Sequence, residues 1–412
     1  MDAIALRNFM KRIFILGGGF GGLYTALELA DKEWPDPPEI VVVDRDRQFL
    51  FTPLLYELVT GEMEAWEIAP SFDSLLSSTS VQFRQGEVEQ IEISTRRVTL
   101  QDGSHLNYDY LVLALGGDTL FAGVPGAREY ALPFRELADA EALKADLEKW
   151  QRRTDRFAVA IAGAGASGVE LACKLVDCLG DRVEVRLIDR SDDILKGFQP
   201  DSRQAARKAL QQRGVVVQLD TSVLQVGEDF ILTQTGDAIE TLPVARVLWT
   251  AGVTVNPAVE KLSLAKSDRD RVSISPTLQT LEHPEIFALG DLAEGRDAVG
   301  QTIPATAQSA FQQASYCAWN LWALATAGEG KAARPLLPFR YLPLGEMLSL
   351  GTDSASLSGL GLAFDGPLAY LARRTIYLMR LPTLNHQLEV GWNWVTKPLF
   401  AEVQRWMQGD RP

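Results

Sequence analysis

The chain has 412 residues, enough for two to four compact units with ample core. Its 46% hydrophobic and 23% charged content excludes a disordered chain. Its net charge of −14 would repel phosphate backbones, which excludes a nucleic-acid partner. Three cysteines cannot build a disulfide framework and fit a reducing compartment, and three scattered histidines leave little material for a metal site, so no metal is expected.

Near the N-terminus, Arg7, Lys11 and Arg12 surround an apolar stretch too short for a secretory signal. The apolar run from Arg12 to Leu16 predicts a strand, followed by Gly17-Gly18-Gly19-Phe20-Gly21-Gly22. A helical pattern follows through Leu23, Ala26, Leu27 and Ala30, Pro35, Pro37 and Pro38 stop it, and Ile40 to Val43 predicts a second strand ending at Asp44. A hairpin turns at Asp102-Gly103 before an apolar strand, Tyr110 to Leu115, that ends in Gly116-Gly117. The whole series then recurs. Phe157 to Ile161 leads into Gly163-Ala164-Gly165-Ala166-Ser167-Gly168, then a helix through Val169 and Leu175, and a strand from Val183 ending at Asp189. A turn at Gly236-Asp237 precedes Val247 to Thr250. The expected fold class is therefore α/β with two Rossmann-like dinucleotide-binding domains, each a parallel sheet carrying a small antiparallel sheet.

One GxGxxG is weak evidence; two, each between a strand and a helix and each followed by an acid about twenty positions on, fit the mechanism. Gly17 and Gly163 allow the tight turn, Gly19 and Gly165 leave room for a pyrophosphate against the backbone, and Gly22 and Gly168 let helix and strand approach. The helix N-termini attract the pyrophosphates, and Asp44 and Asp189 can accept ribose hydroxyls. At the second site Asp189 disfavours a 2′-phosphate, while Arg190 and Ser191 can clamp one, so chemistry leaves NADH and NADPH both open.

The late strand Ile286 to Leu289, ending in Gly290-Asp291, resembles the second FAD contact of flavoproteins with two dinucleotide domains. That resemblance puts FAD on Gly17, Gly19, Gly22, Asp44, Gly116, Asp291 and Ala307, and the nicotinamide on Gly163, Gly165, Gly168, Asp189 and Arg190, with the second domain inserted into the first. Cys173 and Cys178, five apart on a helix, face away from each other and do not form a thiol relay. The helix starting at Ala307 can turn free N–H groups toward a flavin. Gln308 and Gln312 share one face of it, where their amides suit quinone carbonyls.

The glycine pair, Phe49-Leu-Phe-Thr-Pro53-Leu-Leu55, Gly290-Asp291 and Ala307-Gln308 with Gln312-Gln313 make the chain resemble the type II NAD(P)H:quinone dehydrogenases. The resemblance implies that the Gln308/Gln312 stretch lines a quinone site and that Glu170, just past the second fingerprint, lies near the nicotinamide. In the C-terminal third, Phe339-Arg340-Tyr341, the run Leu344 to Gly351, Gly366-Pro367 and Tyr377 to Thr383 look like the cyanobacterial and plastid branch. That branch is implicated in reducing demethylphylloquinone, a phylloquinone precursor, with NADPH as donor and NADH as the alternative. A respiratory reductase of plastoquinone or menaquinone, and a flavin-based redox-sensing interaction protein, are the rival readings.

A lipid quinone calls for a docking surface. No apolar run reaches the length of a membrane span; the longest, Ala314 to Ala327, contains Asn320 and reads as a core helix. From Gly366 to Pro412 six basic and three acidic residues give +3. Arg373, Arg374, Arg380 and Lys397, with Tyr370, Tyr377, Trp392, Trp394 and Trp406, suit a headgroup region, and Leu368 to Leu381 suits an interfacial helix. The expected protein is peripheral on the cytoplasmic face of an inner or thylakoid membrane, and the same helix also offers a homodimer surface. Expected domains are 1–120 with 270–335 for FAD, 121–269 for NAD(P)H, and 336–412 for membrane and quinone docking. His105, His283 and His386 are expected to be structural or on the surface.

Overall fold

Arg12–Leu16 is a strand buried along nearly its whole length, as expected of an apolar run covered on both faces of a parallel sheet. It lies at the centre of five parallel strands in the order Ile286–Ala288, Tyr110–Leu113, Arg12–Leu16, Glu39–Asp44 and Gln82–Gln85. A computed structural model of the chain describes residues 10–327, 334–359 and 361–407, with side chains described through 397. The chain falls into two compact units, 1–49 with 71–118 and 254–342, and 50–70 with 119–253 and 343–412.

In the first unit the fingerprint helix Phe20–Ala30 follows the central strand, and Val88–Glu92, Arg97–Leu100 and His105–Asn107 form a three-stranded antiparallel sheet. The helix Ala307–Ala325 packs along the fingerprint helix. Its Asn320 is fully buried, donates to the carbonyls of Thr277 and Leu337, and accepts from Leu337 N–H. The polar residue that interrupts this apolar run is thus satisfied inside a protein core.

The second unit repeats the plan. Its parallel sheet runs Val216–Gln218, Val183–Ile188, Phe157–Ala162, Arg246–Trp249 and Ala131–Pro133, with the fingerprint strand again central. Thr221–Val226, Phe230–Thr235 and Ala238–Pro243 make the matching antiparallel sheet, packed through Val226, Ile231 and Leu242 against Trp249. Two further pieces belong to this unit: the segment 50–70, with the short helices Leu55–Val59 and Ala65–Ile68, and the C-terminal part. The latter has a sheet of Glu346–Ser349, Ala355–Gly359 and Leu362–Gly366, then the helices Pro367–Leu378 and Leu384–Met407. No helix among the described residues is long and apolar enough to cross a membrane.

The C-terminal helices differ from the expected headgroup-facing array. Arg373 is buried at 2% exposure and bonded to Glu57 Oε1 at 2.5 Å, because an unpaired carboxylate on the 55–59 helix demands a cation. Tyr377 is buried against Phe51, Tyr370 donates to Glu62 Oε1 at 2.9 Å, and Trp394 donates to Glu67 Oε1 at 2.9 Å. These residues fasten the C-terminal part to segment 50–70, with Arg373 and Tyr377 buried and Tyr370 and Trp394 half-buried. Trp406, Arg405 and Arg411, counted in the same tail, lie outside the residues whose side chains are described.

Candidate active site

The two fingerprints are built alike down to single hydrogen bonds. Gly17 N–H donates to Val43 O and Gly163 N–H to Ile188 O, both at 2.8 Å, tying each turn to the neighbouring strand. Gly17 and Gly163 have φ of 98° and 111°, a region that favours glycine. A Cβ on Gly22 would stand 1.8 Å from Gly17 O, and one on Gly168 would stand 1.8 Å from Gly163 O. Around Gly19 and Gly165, by contrast, an added Cβ would meet nothing within 4 Å. Helix and strand therefore touch where the sequence requires them to touch, and space opens where a pyrophosphate would meet backbone N–H groups.

The acids close the same pattern. Asp44 accepts from Gly18 N–H at 2.5 Å and Asp46 N–H at 2.9 Å, and Asp189 from Ala164 N–H and Ser191 N–H, both at 2.7 Å. Burial raises the proton affinity of Asp44, only partly offset by the two N–H donors. Each carboxylate is thus fixed at the lip of its glycine turn, the place a ribose hydroxyl donor would occupy. Arg190 is exposed beside Asp189. The residues present fit two dinucleotides.

Gly116 has φ 65° and open space where a side chain would project, and Gly290 has φ 76° with its N–H held by Gln313 Oε1 at 2.9 Å. Gln313 is fully buried, so this bond fixes the Gly290-Asp291 turn against the helix that begins at Ala307. Thr306 caps that helix by accepting from Ser309 N–H at 3.2 Å, so one of the N–H groups expected to face a ligand is already taken. Gln308 and Gln312 do lie on one face, toward residues 341–342. Gln308 Oε1 accepts from Tyr341 O–H at 2.8 Å. Gln312 engages Leu342 with both ends of its amide, donating to the carbonyl at 2.9 Å and accepting from the N–H at 3.0 Å. Its amide therefore anchors that stretch and is not presented to a ligand in this arrangement.

Glu170 is not a surface carboxylate. It is 5% exposed, accepts from Ser349 N–H at 2.6 Å, and stands 3.8 Å from an Arg373 nitrogen. Burial pushes its pKa up to about 7, against the pull of Arg373 and Ser349. Around it the second unit gathers charges that sequence reading missed. Arg373 bonds Glu57, Lys174 stands 3.8 Å from Glu57, and Lys174 also pairs with Glu62. Burial would raise Glu57, but Arg373 and Lys174 outweigh it and hold that carboxyl below the usual range. Tyr56, fully buried, donates to Ser167 Oγ at 2.9 Å, joining the 55–59 helix to the second fingerprint. A signal was present: Glu57 and Lys174 each interrupt an apolar run, Leu54 to Val59 and Leu171 to Val176. Lys174 also follows Glu170 by one helical turn.

Residues 11–314 match the family described as pyridine nucleotide-disulphide oxidoreductase. The chain is 50% identical to the demethylphylloquinone reductase NdbB of Synechocystis sp., covering 94% of this chain and 96% of that protein. It belongs to this family, within the type II NAD(P)H:quinone dehydrogenases. It is 39% identical to the alternative NAD(P)H-ubiquinone oxidoreductase C1, chloroplastic/mitochondrial, of Arabidopsis thaliana, over 96% of this chain and 82% of that one. The fold is shared with NDH2 from Plasmodium falciparum in complex with NADH, at TM-score 0.82 and 15% identity, covering 95% of this chain and 98% of that chain. It is also shared with the sulfide:quinone oxidoreductase of Aquifex aeolicus, at TM-score 0.74 and 19% identity over 93% and 91%.

As a type II dehydrogenase the chain is an oxidoreductase of FAD and NAD(P)H. The disulphide in the family's description has no counterpart here, since all three cysteines are free. Burial pushes the Cys173 thiol up to about 12 and the Cys178 thiol up to about 11, so neither forms thiolate near neutral pH.

Proposed function

We propose that the chain passes two electrons from NADPH, with NADH as alternative donor, to a membrane prenylquinone, and that demethylphylloquinone is the physiological acceptor. The observation that carries the reading is the doubled glycine-and-acid cradle on a chain without a usable thiol pair, which leaves a direct acceptor. The relative at 50% identity, named a demethylphylloquinone reductase, supports that quinone over the ubiquinone of the Arabidopsis relative's name. FAD, when bound, supplies the hydride acceptance and two-electron transfer that no side chain can supply.

The chain's own residues bind and orient. Gly17, Gly19, Gly22, Asp44, Gly116, Asp291 and Ala307 hold FAD; Gly163, Gly165, Gly168 and Asp189 hold the nicotinamide dinucleotide, and Arg190 takes a 2′-phosphate. Glu170 serves the nicotinamide side and holds a proton. Gln308 faces the quinone, while Gln312 keeps Tyr341 and Leu342 in place for it.

The membrane face is the outer stripe of the C-terminal helices. Leu384, Leu388, Trp392 and Val395 recur at helical spacing and are all exposed, Trp392 to 72%, and Leu368 on the preceding helix is 76% exposed. On the opposite face His386, Asn393 and Trp394 bond to Glu67. Apolar side chains outward and polar ones inward is the reverse of a helix meant for water, and it suits a lipid interface on the cytoplasmic side.

The test is steady-state oxidation of NADPH and NADH by FAD-loaded protein, with a 2-prenyl-1,4-naphthoquinone or a plastoquinone analogue in anionic liposomes. Preference for NADPH and the naphthoquinone is expected. Equal or faster plastoquinone turnover would move the assignment to the respiratory role. Self-association through the Leu388–Trp392 stripe, seen by sedimentation without lipid binding, would make that face a homodimer surface instead.

A further inference from the structure

In the second unit the loop 190–198, between the strand Val183–Ile188 and the helix Pro200–Gln212, is pinned at both ends and in the middle. At its start Asp189 accepts from Ser191 N–H at 2.7 Å, and Ser191 O accepts from Asp220 N–H at 3.0 Å. At its end Glu346 accepts from Gln199 N–H at 2.9 Å and from Ser202 O–H at 2.7 Å. In the middle Leu195 N–H donates to Ala164 O at 2.8 Å, while Ala164 N–H donates to Asp189. One residue of the second glycine turn thus holds both the ribose-side carboxylate and the residue before Lys196. Leu195 is buried at φ 51°, a left-handed conformation that is costly for leucine, and Gly197 follows at φ 91°. The chain keeps this strained turn, and Lys196 sits in it.

Charge separates Lys196 from the other cations of the region. Arg203 and Arg207 both pair with Asp193, whose side chain is 17% exposed. Lys196 pairs with Asp192 at 2.8 Å, and these two side chains are 59% and 72% exposed. An ion pair so open to water is weak and exchanges partners readily, whereas Asp193 is sheltered and doubly engaged. Asp192 first, then Asp189 and Asp220, raise the proton affinity of Lys196, so its ammonium stands in the field of the ribose-side carboxylate. A 2′-phosphate carries more negative charge than a carboxylate and competes with Asp192 for that ammonium.

We propose that Asp192 and Lys196 set the balance between NADPH and NADH by an exchange of partners. Lys196 leaves Asp192 for the 2′-phosphate of NADPH and stays with Asp192 when NADH brings only a hydroxyl. Lys196 supplies the contact that discriminates, and Asp192 is the internal competitor that limits the advantage of NADPH and keeps NADH usable. The inference deepens the proposed function and rests on its reading that a 2′-phosphate is taken beside Arg190.

The experiment measures binding of adenosine 2′,5′-bisphosphate and of 5′-AMP to the FAD-loaded full chain by titration calorimetry, and takes the ratio of the two affinities. Stopped-flow bleaching of the flavin by NADPH and by NADH gives the same ratio for the whole dinucleotides. Lys196→Gln should lower the preference for the 2′-phosphate by roughly 10-fold, the loss of one charge-assisted contact. Asp192→Asn should raise it by roughly 3-fold, because the lysine no longer has a competing partner. The double variant should match Lys196→Gln alone, since the effect of Asp192 passes through the lysine. Both side chains are exposed, so melting temperatures should stay at the wild-type value.

An unchanged ratio in Lys196→Gln, an unchanged or lowered ratio in Asp192→Asn, or a rise caused by Asp192→Asn in the Lys196→Gln background would each overturn the exchange. Arg190→Gln separates this from the reading beneath it. If Arg190→Gln lowers the ratio and Lys196→Gln does not, the exchange falls and the NADPH reading stands. A wild type that does not prefer the 2′-phosphate and does not respond to Arg190→Gln would defeat the NADPH reading and the exchange with it.

Discussion

Alanine at Gly168 separates the two cradles in a single experiment. Its Cβ would stand 1.8 Å from Gly163 O, while real Cβ contacts do not fall below 3.0 Å, so helix Ala166–Leu179 must back away by about 1.2 Å at its first turn. A misplacement near 1 Å in a binding constellation costs about 10²-fold, which corresponds to about 2.7 kcal/mol of transition-state stabilisation. Gly168→Ala should therefore purify yellow with FAD but show roughly 10²-fold lower kcat/KM for NADPH in anaerobic stopped-flow bleaching of the flavin absorbance. Gly22→Ala, the equivalent change in the first unit, should instead purify with substoichiometric FAD. Gly165→Ala is the control for folding: at φ −74° and ψ −173°, with nothing within 4 Å, alanine fits the backbone and only narrows the space for pyrophosphate. It should keep the thermal stability of the wild type and lose NADPH affinity. Wild-type reduction rates in Gly168→Ala, or loss of FAD from Gly168→Ala with retention in Gly22→Ala, would refute the assignment of the two cradles.

Three more outcomes follow from the same structure. Glu170 titrates at about 7 when folded and near 4.5 when not, so the folded state alone holds its proton between those values. Its contribution is fully present below pH 4.5 and is lost as pH rises through 7, about 3 kcal/mol in all. Glu170→Gln should remove this loss, so denaturant unfolding should show the variant gaining on wild type from pH 5 to pH 8; an equal difference at both would contradict it. The double change Leu388→Ser with Trp392→Ser should weaken vesicle binding by roughly 30-fold, about 2 kcal/mol for part of two large apolar side chains, with NADPH-driven flavin bleaching unchanged in solution. Unaltered co-sedimentation with vesicles would remove that stripe from the membrane face. Cys173→Ala with Cys178→Ala should keep quinone turnover, since neither thiol ionises near neutral pH, and loss of turnover with flavin still reduced would restore a thiol relay.

The repeat, the two glycine turns and the parallel sheet behind each were legible in the sequence, while the order of the strands came from the structure. Glycine at a positive φ, glycine under a carbonyl and an acid at a strand end are requirements of local backbone geometry, which a few adjacent residues satisfy. Asn320 was also legible, because one amide in an apolar run has to find partners among buried backbone groups. The C-terminal part was read less well. Arginines and aromatic rings near lipid and arginines and aromatic rings in a core have the same composition, and only their partners differ. Arg373 looked like a headgroup ligand until segment 50–70 brought Glu57 to it from 316 positions away. Gln312 looked like a quinone ligand until Leu342 took both ends of its amide. Sequence alone thus determined that this chain carries two dinucleotide sites, because those depend on neighbours along the backbone. Only the tertiary structure decided which charges are buried together, which amides are already engaged and which helix face is left bare, because burial and pairing depend on residues that meet through folding.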